Sequence, residues 1–249
     1  MKRNFSVNHV TVGADIPKAL RFAFAADLHN RVLPSESDAV TKSGADALLV
    51  AGDLISEEDE YENGLAFLSA CAQSLPTFMA IGNHDRRFRG DLAAAVEGTG
   101  AVLLDNRALP FMGITLGGLS SGFLRWSETK TESKIKDHVP NLSFLDEFSK
   151  GEGYKLLLCH HPEYYEPYIR PLSIDLTLAG HAHGGQWRFF GRGVYAPGQG
   201  LFPRYTAGLY EERLLVSRGM ANASKGIPRL NNRPELLVLD LVPQEGAAE

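Results

Sequence analysis

The sequence predicts an α/β fold, because short apolar runs alternate with helical patterns along its first hundred residues. Each helical pattern links one strand-length run to the next, as in parallel strands joined by crossover helices. In addition, five apolar runs each end within two residues of a side chain that can bind a metal. Because ligands of open α/β sheets bind beyond the carboxyl ends of the strands, we expect these side chains to converge.

The predicted elements follow from the apolar spacing. The five strands that end in candidate ligands are expected at 22–26, 47–51, 77–81, 155–159 and 174–179. Helical spacing predicts helices at 35–43, 59–73 and 91–97. Shorter segments between Gly and Pro predict strands at 101–104, 109–112, 114–117, 194–196, 213–217 and 236–241. We expect a meander or mixed sheet over 101–117 and a long functional or mobile loop over 120–140.

The composition is that of an ordinary globular protein. The chain has 249 residues, of which 44% are hydrophobic and 22% charged, and we predict a single domain over residues 1–249. It contains no run of about 18 apolar residues, and polar residues follow Met1-Lys2-Arg3. We therefore expect a cytoplasmic chain, and leave open that an N-terminal anchor has been trimmed from it.

The charge and the cysteines narrow the function classes. A net charge of -5 argues against a broad nucleic-acid surface, which needs clustered Lys and Arg. Small anionic substrates stay compatible with it, because a bound metal supplies a local positive field. Cys71 and Cys159 lie in apolar segments, and we expect both to be reduced core residues.

The strand ends supply seven candidate metal ligands, which are two carboxylates, four imidazoles and one amide oxygen. They are Asp27, Asp53, His29, His160, His181, His183 and Asn83. Oxygen and imidazole without thiolate favour Mn, Fe, Zn or Co over Ca or Mg. Seven donors fit two metal ions that share a ligand. Asp53 is the candidate bridge, because its two oxygens can each take one metal, and such a site attracts hydroxide and phosphate.

Each motif alone has a plainer interpretation. A Gly-Asp pair after a strand is commonly a turn or a helix cap, the segment 82–85 fits a turn, and a single Asp27-x-His29 is weak evidence. The pair His181 and His183 is harder to dismiss, since flanking glycines allow close backbone approach. Five of the eight histidines lie in these motifs, so we interpret the set as a functional site.

Taken in order, the motifs resemble those of the calcineurin-like metallophosphoesterases. They are Asp27-x-His29, Gly52-Asp53, Gly82-Asn83-His84-Asp85, His160 and Gly180-His181-x-His183. A second set resembles the bacterial branch that includes the UDP-2,3-diacylglucosamine hydrolase-like phosphodiesterases, namely Gly184-Gly185-Gln186, Ser217-Arg218-Gly219 and Asn232-Arg233-Pro234-Glu235. The resemblance implies a four-layer αββα sandwich with two mixed β-sheets and a dimetal site at the strand C-terminal ends.

The resemblance also implies a role for each residue. One metal would be bound by Asp27, His29, Asp53 and His183, and the other by Asp53, Asn83, His160 and His181. His84 would be a catalytic residue near the scissile phosphate, oriented by Asp85, which fixes its tautomer. A metal-bound hydroxide would attack phosphorus in line, and His84 would protonate the leaving oxygen.

Substrate contacts are less defined. The candidates are Arg125, Trp187 and Arg218, followed by Trp126, Arg188, Lys225, Arg229 and Arg233. Bidentate arginine suits phosphate, although an exposed charge or a packing aromatic is the plainer interpretation of each. Phe123, Leu124 and Trp126 are candidates for a rim that contacts acyl chains or a membrane surface. We interpret His161, beside a ligand, as a surface or helix-start histidine.

The leading hypothesis is a dimetal-dependent hydrolase of phosphate esters, which favours a phosphodiester or pyrophosphate bond of a small or lipid-linked molecule. We expect peripheral membrane contact to be compatible with this function, and no nucleic-acid partner. The alternatives are a non-catalytic binding scaffold on the same fold, which would bind no metal, and a nuclease, which the acidic balance disfavours.

Overall fold

Two six-stranded β-sheets lie at the centre of the fold. The structure is a computed structural model that describes residues 5–31, 34–122, 139–221, 223–224 and 227–244. Up to residue 119 the elements are β1 (Ser6–Ala14), β2 (Leu20–Ala25), α1 (Pro34–Thr41), β3 (Ala47–Ala51), α2 (Glu62–Ala72), β4 (Thr77–Ala80), a 3₁₀ turn (Asp85–Arg87), α3 (Leu92–Glu97), β5 (Val102–Leu103), β6 (Arg107–Phe111) and β7 (Ile114–Leu119). Beyond it lie α4 (Leu142–Ser149), β8 (Lys155–Cys159), turns at Pro162–Tyr164 and Tyr165–Ile169, β9 (Leu176–Ala179), a 3₁₀ turn (His183–Gly185), β10 (Arg188–Phe189), β11 (Arg192–Gly193), β12 (Tyr195–Ala196), β13 (Gly200–Leu201), β14 (Gly208–Tyr210), β15 (Leu214–Val216), β16 (Ala223–Ser224), β17 (Ile227–Pro228) and β18 (Glu235–Pro243).

Both large sheets are mixed, as predicted. The first has the order β1-β18-β2-β3-β4-β5, in which β2 to β5 are parallel and β18 is antiparallel to β2. The second has the order β14-β15-β9-β8-β7-β6, with four parallel strands between the antiparallel edge strands β14 and β6. The parallel strands of each sheet end at one edge, and the candidate ligands follow them.

The two sheets pack against each other, as the alternation of side chains along the strands shows. Phe22 and Phe24 of β2 lie in one buried cluster with Leu156 and Leu158 of β8. The intervening residues of β2 pack with α1, α2 and α3, and those of β8 pack with α4. Because successive side chains of a strand point to opposite faces, the layers run helix, sheet, sheet, helix. This is the predicted αββα sandwich.

Two of the longer elements, β1 and α4, are absent from the prediction, as are several strands of two or three residues in the C-terminal third. In the edge strand β1, most residues are partly buried or exposed and polar residues interrupt the apolar ones, which weakens the strand signal. Helix α4 begins after Asn141, whose side chain accepts a hydrogen bond from Phe144 N, at the end of the segment predicted as a loop. Of that segment, residues 123–138 lie outside the described ranges.

The helices and thiols agree with the composition. The longest α-helix in the described ranges, α2, has 11 residues, and no helix there has the length and apolar character needed to cross a membrane. Cys71 and Cys159 are buried free thiols in the two outer clusters. Both are reduced core residues, as predicted.

The inter-sheet core can be tested at Leu156, which is fully buried between the sheets. Leu156→Ala should lower the free energy of unfolding by about 2–5 kcal/mol, because it leaves a cavity in a close-packed interior. Leu142→Ala is the matched control, since Leu142 is 50% exposed, and it should change stability by less than about 0.5 kcal/mol. Urea denaturation followed by circular dichroism measures both changes. Equal changes would contradict the core position of Leu156.

Candidate metal centre

The seven predicted ligands lie on loops that follow β2, β3, β4, β8 and β9. Backbone hydrogen bonds continue the strand ladders past the strand ends. Asp27 N donates to Gly52 O at 3.1 Å, and Gly180 N donates to His160 O at 3.0 Å. His181 N donates to both carboxylate oxygens of Asp27 at 3.0 Å. This last contact joins the ligand loops of the two sheets.

Most of these residues have an unusual backbone conformation. Five of the seven have φ between 46° and 64°, and they are Asp27, His29, Asp53, His181 and His183. The left-handed conformation costs a residue with a side chain about 1–2 kcal/mol. Such conformations persist where surrounding contacts maintain them, and they cluster at functional sites.

The ligand atoms form two adjacent clusters. One consists of Asp27, His29 and His183, and the other of Asp53, His160 and His181, with the ligand atoms of each cluster within 4.8 Å of one another. Each contains three of the four residues of one group that the family resemblance implies, and the assignment of the ligands to two metal ions stays a prediction. His29 Nε2 lies 3.3 Å from His183 Nε2, which suits two nitrogens bound to one metal ion at about 2.0–2.1 Å each.

Asp53 connects the two clusters through one oxygen. Its Oδ2 lies 3.2 Å from His160 Nε2 and 3.7 Å from His29 Nε2. Its Oδ1 accepts a hydrogen bond of 2.8 Å from His84 N. The expectation that each oxygen takes one metal stays a prediction. Oδ2 alone faces both clusters, because the backbone already holds Oδ1.

A buried acceptor shows where a cation fits. Asn83 Oδ1 is buried and has no hydrogen-bond partner among the described residues, and a buried acceptor without a partner is costly. His160 Nδ1 donates to Ala51 O at 2.7 Å, so Nε2 is the nitrogen that faces Asp53. A cation in the second cluster would take Asn83 Oδ1 and His160 Nε2 as ligands, and the set of carboxylate, imidazole and amide donors fits a divalent transition metal.

Burial keeps three of the four imidazoles neutral, which is the form that binds metals. It lowers the pKa of His29 to about 4, against the opposing charge of Asp53, and lowers the pKa values of His181 and His183 well below the ordinary value. Burial acts on His160 in the same direction, but the carboxylates of Asp53 and Asp27 outweigh it and raise the pKa of His160 to about 10. A metal that binds His160 therefore displaces a proton.

The predicted catalytic pair is arranged differently from the expectation. His84 lies beside the centre, with its ring edge-on to that of His29 at 4.6 Å between centroids. Its Nδ1 donates to Ser56 O at 2.5 Å, so that Nε2 is the nitrogen available for proton transfer. The Asp85 carboxylate is fully buried and accepts hydrogen bonds of 2.8–3.2 Å from the backbone N–H groups of Gly82, Asp53, Leu54 and Ile55.

The predicted role of Asp85 is therefore wrong. The Ser56 carbonyl fixes the His84 ring, whereas Asp85 holds the loop that carries Asp53. Burial raises the pKa of Asp85 to about 6, with the charge of Asp53 adding to the shift and the backbone hydrogen bonds opposing it. Nothing in the order of residues distinguishes a carboxylate that holds the neighbouring ring from one that holds a distant loop.

Two glycines allow the loops to approach this closely. A Cβ placed on Gly82 would lie 2.2 Å from Asp53 Oδ1, and one on Gly219 would lie 2.6 Å from Asp27 Oδ2. Gly219 also has φ of 75°, a conformation that favours glycine. The Ser217-Arg218-Gly219 motif thus contributes to the centre through its glycine, which packs against a ligand.

The predicted substrate contacts lie in three different settings. Arg125 falls outside the described residues. Trp187 is 43% exposed and donates its indole N–H to Pro228 O at 3.0 Å. The Arg218 guanidinium pairs with Glu235 at 2.6 Å and donates to Ser6 Oγ at 3.2 Å. These contacts give Arg218 a structural role that joins the loop after β15 to β1 and β18.

Two residues near the centre have positions that the sequence did not predict. For His161 the surface interpretation is wrong, because its side chain is buried and its ring lies 4.3 Å from that of His181, whereas the helix-start interpretation is right, because His161 directly precedes the turn Pro162–Tyr164. Glu163 Oε1 lies 3.1 Å from His161 Nδ1 and 3.6 Å from His181 Nε2. A carboxylate behind a ligand imidazole orients it and raises its basicity. The available signal was a Glu three residues after the ligand His160.

Comparison with known proteins agrees with this centre. Residues 20–185 match the family model of the calcineurin-like phosphoesterases. The chain is 31% identical over 246 residues to phosphodiesterase YaeI of Escherichia coli (strain K12), an alignment that covers 89% of this chain and 82% of YaeI. It is 26% identical over 237 residues to YpbG of Bacillus subtilis (strain 168), covering 91% and 82%. A metallophosphoesterase of Helicobacter pylori is 26% identical over 246 residues, covering 93% and 62%. The chain therefore belongs to the calcineurin-like phosphoesterase family.

Proposed function

We propose that the protein hydrolyses phosphodiesters with two divalent metal ions. Its family is one of metal-dependent phosphoesterases, and a relative with 31% identity is named a phosphodiesterase. The observation that carries the proposal is the position of Asp53 Oδ2 between two clusters of ligand atoms. All seven predicted ligands are present in the sequence, which argues against a scaffold that has lost its metals.

The chain's own residues divide into ligands and groups that position them. Asp27, His29 and His183 would hold one ion, Asn83, His160 and His181 the other, and Asp53 both. The metal ions, when bound, activate water and neutralise charge on the phosphoryl oxygens. With Nδ1–H held by the Ser56 carbonyl, His84 can pass a proton from Nε2 to the leaving oxygen. Asp85 holds the Asp53 loop in place.

An apolar surface beside the centre supports a lipid-linked substrate. Cross-strand contacts align four residues in a row, in the order Leu230, Trp187, Val194 and Phe202. Trp187 forms a β-bridge with Leu230. Val194 N donates to Trp187 O at 2.9 Å, and Phe202 N donates to Val194 O at 2.8 Å. Trp187, Phe202 and Leu230 of this row are exposed, as are Phe189 and Phe190, which follow Trp187 in β10 and the adjoining turn. Trp187 lies four residues beyond the ligand His183.

The chemistry of this surface fits a bilayer. Large exposed apolar patches are typical of interaction sites, and aromatic side chains suit the boundary between water and lipid. The segment 176–210 contains no Asp or Glu, although the whole chain has a net charge of -5. A segment free of acidic residues can approach anionic headgroups without repulsion. We propose that this surface brings the centre to phosphodiesters of membrane lipids.

Replacement of the shared ligand tests the reaction. Asp53→Asn should lower Mn-stimulated hydrolysis of bis-p-nitrophenyl phosphate by more than about 100-fold. This loss is larger than that expected for replacing a residue that only hydrogen-bonds to a metal ligand. Asp38→Asn is the control, because Asp38 forms an exposed pair with Lys42 at 3.2 Å, and its activity should be unchanged. Full activity in Asp53→Asn would contradict the shared site. A wild-type protein that stays without metal in elemental analysis, even after Mn or Zn supplementation, would favour the scaffold.

The leaving group tests His84. For a glycerophosphodiester with an alkoxide leaving group, His84→Ala should lower kcat by about 10²–10⁴-fold, because the leaving oxygen needs a proton. For bis-p-nitrophenyl phosphate the loss should be much smaller, since p-nitrophenolate departs without one. His9→Ala, which removes an exposed histidine of β1, is the control. Equal losses with both substrates would argue that His84 acts on the metal ions instead of the leaving group.

Membrane contact can be measured by sedimentation with vesicles that contain phosphatidylglycerol. The double variant Phe190→Ser and Phe202→Ser should bind these vesicles several-fold less than the wild-type protein, because both side chains are exposed apolar groups. Hydrolysis of soluble bis-p-nitrophenyl phosphate should stay unchanged. Leu142→Ser, at a half-exposed residue of α4, serves as the control. Equal vesicle binding by the double variant would refute this role of the surface.

A further inference from the structure

We propose that Arg229 binds a phosphoryl oxygen of the substrate, an inference that rests on the function proposed above. Arg229 directly follows β17 and lies far beyond the segment that matches the family model, which ends at residue 185. Its Nη2 nevertheless lies 3.4 Å from His183 Nδ1. The C-terminal segment therefore places a guanidinium group directly against a ligand of the metal centre.

Most of this guanidinium is buried without a partner. Arg229 Nε and Nη1 are both inaccessible to solvent, and neither has a hydrogen-bond partner in the part of the chain that the structure describes. Nearby arginines differ, since Arg218 pairs with Glu235 and Arg188 donates to Gly184 O. An unpaired buried donor destabilises the protein, and more so where the group is charged. A ligand that fills this place would remove that destabilisation.

The charge of Arg229 has the right sign for phosphate. The guanidinium group of arginine is a cation at neutral pH, and here it lies beside a centre that would gain further positive charge when metals bind. In such a place a second cation is stabilised only by an anion, and a guanidinium fork matches the oxygens of phosphate.

The contact with His183 also requires an acceptor. His183 Nε2 lies 3.3 Å from His29 Nε2 and 3.7 Å from Asp27 Oδ1, so Nε2 is the nitrogen that faces the metal cluster. With Nε2 bound to a metal, Nδ1 carries the proton. Arg229 Nη2 is a donor as well, so two N–H groups would point at each other. An anionic oxygen that accepts from both N–H groups would resolve this conflict.

Phosphate binding by metal-loaded protein tests the inference. For Arg229→Gln loaded with Mn, isothermal titration calorimetry should show inorganic phosphate binding at least tenfold more weakly than to the wild-type protein, which corresponds to about 1.4 kcal/mol. KM for bis-p-nitrophenyl phosphate should rise, and the metal content should stay at the wild-type value. Arg229→Lys keeps the charge without the fork and should be intermediate. Arg107→Gln is the control, because Arg107 forms an exposed pair with Glu97 at 3.5 Å.

Two results would overturn the inference. Unchanged phosphate affinity in Arg229→Gln would show that the guanidinium does not contact the anion. Loss of bound metal in that variant would show that Arg229 serves the ligand cluster instead. If Arg229→Gln fails to fold in thermal unfolding, the phosphate affinity of Arg229→Lys decides, and wild-type affinity there refutes bidentate binding. Failure of the proposed function is a separate result, since wild-type protein itself would then bind no metal or cleave no phosphodiester.

Discussion

Buried carboxylates that accept backbone hydrogen bonds hold the strand ends of both sheets in place, and the rest of the centre depends on them. Asp27 accepts from His181 N across the two sheets, Asp53 from His84 N, and Asp85 from the loop after β3. Charge-assisted hydrogen bonds of this kind are the strong ones. Burying three carboxylates so close together is costly unless a cation accompanies them. The contacts that shape the loops therefore also create the demand for metal ions.

The same arrangement explains how the chain tolerates its strained backbone. Five ligand residues with positive φ would cost about 1–2 kcal/mol each in an isolated chain. Here the loops are held on one side by parallel strands buried on both faces and on the other by the carboxylates. The strain turns the side chains away from the strand direction and toward one another. The strands thus fix the positions of the ligand residues, and the short irregular loops after them carry the ligand side chains.

The sequence predicted the parts of this centre that depend on strand order, and missed those that depend on which atom faces which. Apolar runs locate the strands because burial on both faces leaves a continuous apolar signal, and the ligands follow at the strand ends. The Asp85 carboxylate accepts its hydrogen bonds from a loop about 30 residues away in sequence, and no local sequence pattern predicts this contact. The orientation of His84 depends on a backbone carbonyl, and every residue has one. His161 was misjudged because its burial arises from the packing of residues distant in sequence.

The C-terminal third of the chain carries the residues that we propose to contact the substrate. The ligands all lie between residues 27 and 183, and this stretch defines the reaction. Asn232 Nδ2 donates to His183 O at 2.7 Å and to Gln186 O at 3.0 Å, which fastens the C-terminal segment to a ligand loop. The same segment carries Arg229 and Leu230, one facing the ligand cluster and the other in the apolar row. Because they are adjacent residues on a fastened segment, a phosphate at the centre and an apolar chain on the row would be held at a fixed separation. That geometry suits a substrate in which a phosphodiester and a lipid tail belong to the same molecule.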